Sequence, residues 1–350
     1  MKIALLGVKG EFEKNCGKGV QRYIYEMYKR ISRAPGIALK KIEYRQLPAI
    51  GVGLSFMFRN AFGDLSGFDI IHNPDIKPFY RLVKPRAIRI TTAHEFRPLL
   101  NPELMVGQQS GIRERIWISA VIKLAYKSLL ESDYITANSS QTKEEAISLG
   151  FDKDKIFVVN HGLDEKFIRG RLYHKDRTGK SFRVGYIGSL SLGKNVGMAV
   201  DAIRSIEDKN LVFEIWGKGS ENKKILSRID RDKRISIKGF VSETDIVKTY
   251  DSFDAFVAPS LYEGFGLTIL EAQARGLPVI IYKGGKIAKE VRKYCFEAKD
   301  TDDMAAIVMR IKENDYDENL RDKATRYART FTWENTAKGT VAVYKRVFDM

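Results

Sequence analysis

Two carboxylates, Glu263 and Glu271, stand eight positions apart in the stretch 254–282, DAFVAPSLYEGFGLTILEAQARGLPVIIY. Asp254–Ala258 reads as a strand, Pro259–Phe265 as a loop, Gly266–Gly276 as a helix and Pro278–Tyr282 as the next strand. Gly264 and Gly266 flank Phe265 and let the loop backbone approach a ligand closely. The first amides of the helix, near Gly266, Leu267 and Thr268, point at whatever sits above the strand ends, which makes an anion site. A helix turns once in 3.6 residues, so Glu263 on the loop and Glu271 inside the helix need not touch. They could hold opposite ends of one extended, hydroxyl-rich ligand, with an anionic group at the helix start between them. The same residues also fit a plain strand–loop–helix turn with two surface glutamates.

The surrounding pattern supplies the elements that must hold these groups. Lys2–Val8 has the composition of a buried strand, and residues 19–33 place Val20, Ile24, Met27 and Ile31 at helical spacing. Strand-like runs follow at 37–44, 68–72, 87–92, 133–137 and 155–159, with helical patterns clearest at 113–131 and 140–149. The second half repeats the alternation: strands at 182–188, 210–216, 234–238, 254–258 and 278–282, helices at 195–206, 220–230, 242–251 and 266–276. Alternation of this kind is the signature of parallel α/β sheets. The polar, basic stretch 169–181 reads as a linker, which sets domains at 1–172 and 182–331. After residue 283 the strand signal fades and 302–348 is mostly helical beside the second sheet. Residues 332–350 are expected to form a last helix that crosses back to the first domain.

A chain of 350 residues suggests two domains. With 44% hydrophobic and 30% charged residues, disorder and fibrous architecture are excluded for its bulk. Two cysteines, Cys16 and Cys295, make no disulfide framework, and the start, MKIALLGV, does not read as a signal peptide. No run is long and apolar enough to cross a membrane, so a cytoplasmic protein is expected, possible contact with a membrane face apart. The net charge is +16, of which residues 1–180 carry +12. That asymmetry suits a phosphorylated substrate, an anionic membrane face or nucleic acid, or serves solubility alone. The helix at 111–131, with Ile116, Trp117, Ala120 and Leu124 on its apolar side, the apolar run 50–62 and the basic run 81–89 could dock on an anionic membrane surface. The alternative is that they are internal packing.

The frame PSLYEGFGLTILEAQARGLPVI resembles the family 4 retaining glycosyltransferases of GT-B fold. The resemblance extends over nearly the whole chain. Cys16-Gly17-Lys18-Gly19-Val20 looks like the family's first glycine loop; 132–164 looks like its strand, helix and strand ending in an Asn-Gly-Val-Asp turn, with His161 where Asn is usual; VGYIGSLSLGKNV at 184–196 looks like the opening of its second domain; and IWGKGSE at 215–221 looks like its next glycine turn. The implied fold is α/β, two Rossmann-like domains facing across a cleft that closes to exclude water.

The resemblance also implies roles. Glu271 would hold the ribose hydroxyls of a nucleotide diphosphate sugar and Glu263 the donor sugar. The diphosphate would lie against the amides at Gly266, Leu267 and Thr268, against Lys194 and against the glycine loop of Gly17 and Gly19, with Gly217, Lys218, Gly264 and Phe265 also binding the donor. His94, in TTAHEF, stands where the family carries a histidine beside the reacting sugar, although a lone histidine after a strand is often a hydrogen-bonded turn residue; His72 is expected to be structural or at the cleft edge. Ser189 occupies the position of a diphosphate-binding arginine, and a hydroxyl does not neutralise phosphate. Either Arg183, Lys218 or Lys286 supplies that cation, or donor affinity is lower. No metal or cofactor is required by the scheme, and Asp152-Lys153-Asp154 reads as a solvated turn. The implied reaction is a same-face transfer in which the leaving phosphate helps deprotonate the acceptor, a glycan or a phosphate-linked lipid, with Glu263 not assigned as a covalent nucleophile. A nucleotide-sugar epimerase and a non-catalytic sugar-nucleotide-binding homologue are the rivals; no nucleic-acid module supports a specific nucleic-acid partner.

Overall fold

A computed structural model describes residues 1–8, 10–13, 19–44, 65–76, 86–100, 112–170, 181–314 and 316–350. The chain divides into two compact units. One takes the described residues up to 162 together with Trp333–Met350, and the other takes Leu163–Thr332.

In the first unit, β1 (Lys2–Val8), β2 (Ala38–Tyr44), β3 (Ile70–Asn73), β4 (Ile88–Ala93), β5 (Tyr134–Ala137) and β6 (Ile156–Val158) form one parallel sheet in the order β2-β1-β3-β4-β5-β6. Helix α1 (Val20–Ile31) buries Tyr23, Ile24, Met27 and Ile31, the stripe its spacing predicts with Tyr23 in place of Val20. These side chains share one core with Ile3, Leu5, Ile70 and Ile90 of the sheet and with Trp333, Ala337, Val343, Tyr344 and Val347. Helix α2 (Ile112–Leu130) buries Ala125, Ser128 and Leu129, whereas Ala120, assigned to the apolar side by spacing, is exposed. Helix α3 (Ser140–Ser148) is capped by the Ser139 hydroxyl, which accepts from the Thr142 amide. Asp152 likewise accepts from the Asp154 amide in a single tight turn. Residues 50–62, and 81–85 of the basic run, lie outside the described residues.

The second unit holds β7 (Phe182–Ile187), α4 (Val196–Ser205), β8 (Leu211–Trp216), α5 (Asn222–Ile229), β9 (Ile235–Gly239), α6 (Ile246–Asp251), β10 (Ala255–Ala258), α7 (Leu267–Ala274), β11 (Val279–Tyr282) and β12 (Phe296–Ala298), followed by α8 (Thr301–Asn314) and α9 (Glu318–Ala328). Its sheet is parallel in the order β12-β11-β10-β7-β8-β9. Successive strand residues serve opposite faces. Ala255, Val257 and Ile280 join one core, and Phe256, Ala258, Val279 and Ile281 the other. Both faces are therefore apolar, which is why these strands read as continuous hydrophobic runs.

Three features differ from the sequence reading. The chain makes one more strand, β12, where the strand signal fades, because a three-residue edge strand carries too little pattern to see. Helix α7 starts at Leu267 and ends at Ala274, since Gly266 is in the left-handed region at φ 103° and Arg275 closes the helix. Residues 163–170, read with the first domain, pack with the second unit: Leu163 and Phe167 are buried in its core and Arg275 donates to the Arg169 carbonyl. The last helix, α10 (Trp333–Phe348), packs beside α1 in the first unit.

Candidate functional site

The second sheet reverses its direction of growth between β7 and β10: β8 and β9 lie to one side, β11 and β12 to the other. Loops leaving the carboxyl ends of two such strands diverge, and ligands of open α/β sheets bind in the opening. The loops after β7 and β10 carry Ser189, Lys194 and Glu263 to that point.

The loop after β7 is set by close backbone approach. Gly188 N donates to Trp216 O at 3.0 Å and Leu190 N to Lys218 O at 3.0 Å, stitching it to the turn after β8. A Cβ on Gly217 would lie 1.8 Å from the Gly188 carbonyl oxygen, so only glycine fits there. The Tyr186 hydroxyl donates to the Ser189 carbonyl at 2.7 Å. Burial, and then the charge of Glu263, push this phenol well above its ordinary value, so it stays protonated as a donor. One turn of tight helix, Leu192–Lys194, then presents Lys194, and Asn195 in the left-handed region at φ 50° opens α4.

The loop after β10 is tied to both of its neighbours. Leu261 N donates to Gly193 O at 2.9 Å, Glu263 N to Lys286 O at 2.8 Å, and Lys286 N to Leu261 O at 2.9 Å. Lys194 Nζ and the Ser260 hydroxyl both donate to Glu263 Oε1, at 2.6 Å and 2.8 Å. Glu263 is thus a buried carboxylate held by one cation and one hydroxyl. Gly264 is half-buried, and the ring of buried Phe265 is tilted 60° to that of Phe331 at 6.0 Å between ring centres. The Ile269 and Leu270 amides return to the Gly266 carbonyl, at 3.1 and 3.3 Å, while the Leu267 and Thr268 amides find no acceptor among the described residues. Glu271 is 5% exposed, inside α7, where its Oε2 accepts from the Tyr250 hydroxyl at 2.7 Å.

Of the three cations considered beside Ser189, Arg183 is excluded. It stands at the amino end of β7, paired with Glu214 at 2.9 Å, and its backbone amide donates to Asp254 at 2.7 Å. About 20 Å of extended chain separates it from the loop that carries Ser189. Lys218 and Lys286 follow the carboxyl ends of β8 and β11 and are exposed.

In the first unit, Gly19 precedes α1 with φ 59°, and Gly17 lies outside the described residues. His94 follows β4 and is 7% exposed; its Nε2 meets the Pro74 carbonyl at 2.8 Å and its Nδ1 meets His161 Nε2 at 3.1 Å. Tyr23 stacks on His161 and stands edge-on to His94, both at 5.0 Å. Burial, and then the nearby His94, hold His161 well below the ordinary histidine value. His72 is fully buried and structural, its Nδ1 2.5 Å from the Tyr344 hydroxyl and its Nε2 2.7 Å from Thr92 Oγ1. The partners Tyr186, Ser260, Tyr250 and Tyr23 carry no signal in a single sequence; His161 stood out only as an unusual residue.

Two family models match the sequence. Glycosyl transferases group 1 matches residues 174–331, and glycosyltransferase family 4 matches residues 33–167. An uncharacterised glycosyltransferase of Methanocaldococcus jannaschii is 27% identical over 254 residues, which cover 66% of this chain and 64% of that protein. The chain thus spans less than two thirds of the length of that relative. O-antigen chain mannosyltransferase B of Escherichia coli is 30% identical over 295 residues, covering 79% of this chain and 74% of that one. Among solved structures, HepE of Anabaena, in complex with UDP and glucose, superposes with a TM-score of 0.70 at 17% identity over 99% of this chain and 100% of its own, a likeness of fold.

Proposed function

The chain belongs to the family 4 retaining glycosyltransferases of GT-B fold, and on that footing we propose that it moves a sugar from a nucleotide diphosphate sugar to a hydroxyl acceptor with retained configuration. The observation that carries the reading is the Lys194–Glu263 pair at the switch point, beside the open amides of Leu267 and Thr268. A cation and helix-start amides stabilise a leaving diphosphate electrostatically. In this reading the diphosphate takes Lys194 as its counter-ion and Glu263 turns to the hydroxyls of the donor sugar. Glu271, held by Tyr250, takes the ribose. Gly19, Gly217, Gly264 and Phe265 shape the backbone around the donor. Ser189 offers a hydroxyl, and Lys218 and Lys286 supply charge that it lacks. His94 is assigned to the sugar, where a hydroxyl would take over the hydrogen bond that its Nε2 now gives to Pro74.

The UDP bound by HepE supports UDP as the first nucleotide to test. The O-antigen mannosyltransferase supports a growing glycan as the acceptor class, and the basic first half suits one carried on a phosphate-linked lipid at an anionic membrane face. No described helix is long and apolar enough to cross a membrane.

The deciding experiment is thermal shift with calorimetry, using UDP-, GDP-, ADP- and dTDP-sugars against wild type, Glu271→Ala and Lys194→Ala. Saturable stabilisation by one nucleotide class, weakened in both variants, supports the donor site. No response to any donor at millimolar concentration overturns it in favour of a non-catalytic homologue.

A further inference from the structure

His94 Nε2 lies 2.8 Å from the Pro74 carbonyl oxygen. A carbonyl has no proton to give, so this nitrogen carries one. In the neutral ring Nδ1 is then an acceptor, and the group that faces it is His161 Nε2 at 3.1 Å, which must donate. The His161 ring is itself held. Tyr23 stacks on it at 5.0 Å with 27° between the planes, and Trp333 lies against it at 5.8 Å. The Tyr23 hydroxyl is anchored 3.0 Å from Thr92 Oγ1, and Asn138 Nδ2 donates to the His94 carbonyl at 2.8 Å, fixing the backbone beneath the ring. Residues from α1, the loops after β5 and β6, and α10 therefore hold the His94–His161 pair and the backbone beneath it.

We propose that His161 is a positioning residue for the transfer reaction: its Nε2–H fixes His94 as the Nε2–H tautomer, so that His94 meets the donor sugar as a hydrogen-bond donor of set direction. The inference rests on the assignment of His94 to the sugar. Pro74 selects the same tautomer only while its carbonyl holds Nε2. Once a sugar hydroxyl takes that place, it can either give or accept a proton, and it selects nothing. His161 then remains as the group that faces Nδ1, and while its own proton stays on Nε2 it keeps Nδ1 an acceptor, in the way the hydrogen bond at one ring nitrogen sets the role of the other.

The test uses the full chain, ¹⁵N-labelled at histidine, with UDP-glucose, or the nucleotide sugar selected in the screen above, as the probe. Wild type is expected to show His94 protonated at Nε2 and bare at Nδ1, free and with the probe bound. His161→Phe keeps a ring between Tyr23 and Trp333 but has no donor. It should lower kcat for nucleotide release about tenfold with KM little changed, and show both His94 tautomers in the complex. His161→Gln, which restores an N–H, should return kcat toward wild type. A proton on His94 Nδ1 in the wild type overturns the inference without any variant, which covers a Phe variant that does not fold. If His94→Ala lowers kcat and His161→Phe does not, this inference alone falls. If His94→Ala has no effect, the assignment of His94 to the sugar falls, and the role of His161 with it.

Discussion

Lys194 Nζ lies 2.6 Å from Glu263 Oε1, so a cation carried after β7 and a carboxylate carried after β10 neutralise each other where the second sheet changes direction. Neither group is fully exposed, and each is the other's main compensation for lost water.

Lys194→Ala leaves Glu263 Oε1 with the Ser260 hydroxyl at 2.8 Å. We expect a loss of about 1–3 kcal/mol in stability, measured by urea unfolding, together with weaker donor binding. Adding Glu263→Gln removes the stranded charge, so the double variant should be more stable than the sum of the single losses predicts. Strict additivity in this cycle would show that the pair is not coupled.

Gly217→Ala should be among the costliest small substitutions in the second unit. The added methyl would meet the Gly188 carbonyl oxygen at 1.8 Å, and both partners are backbone, which has no rotamer to yield. A loss of at least about 2 kcal/mol is expected. A melting temperature equal to that of wild type would mean that the two loops are not stitched as described.

Acid should weaken the first unit. Burial, helped by the nearby His94, lowers His72 to about 3 and holds His161 well below its ordinary value. Both bind protons more readily when unfolded, near pH 6.5, so their contribution is complete above that value and is lost as pH falls below it. Between pH 7.5 and 5.5 the two together should cost about 3 kcal/mol. Urea unfolding at the two pH values reads this, and His72→Gln should remove about half of the slope. A stability that does not change across the range would refute the buried neutral histidines.

Tyr250→Phe removes the hydroxyl that reaches Glu271 Oε2 at 2.7 Å and leaves the ring among its aromatic neighbours Phe167 and Phe256. About 1 kcal/mol of stability should be lost. If Glu271 takes the ribose, calorimetry should show weaker nucleotide binding in this variant, whereas Tyr186→Phe, which frees the Ser189 carbonyl, should act on the diphosphate end. Unchanged affinity in both would count against the proposed donor orientation.

The cation that accompanies Ser189 can be located by charge removal. Lys218→Ala and Lys286→Ala should each weaken donor binding about threefold, more at low salt than at high. Arg183→Ala, at the far end of β7, should leave it unchanged. An effect of Arg183 equal to that of the lysines would contradict the strand polarity on which its exclusion rests.

Much of the second unit was legible because its physics is local. The runs Phe182–Ile187, Leu211–Trp216 and Val279–Tyr282 are apolar on both faces, and only a strand covered on both sides needs that. The EGFGL frame with Glu263 and Glu271 could be read directly, because a glycine-rich loop and a helix start are set by neighbouring residues. β12 escaped, since three residues at a sheet edge borrow their structure from Ile280, Ile281 and Tyr282 of the next strand.

The sequence by itself determined the alternation of strands and helices, the loops at which carboxylates and lysines stand, and the family frame, all products of short-range pattern. Only the tertiary structure decided which of those groups meet. Lys194 and Glu263 are 69 positions apart, His94 and His161 are 67 apart, and His72 and Tyr344 are 272 apart. Such contacts depend on strand order and on the depth to which each ring or carboxylate is buried. Strand order also removed Arg183 from consideration, because a parallel sheet sends the two ends of β7 to opposite edges. Pairings of that range leave no periodicity in a chain, so their hydrogen bonds, tautomers and displaced pKa values become visible only when the sheets are assembled.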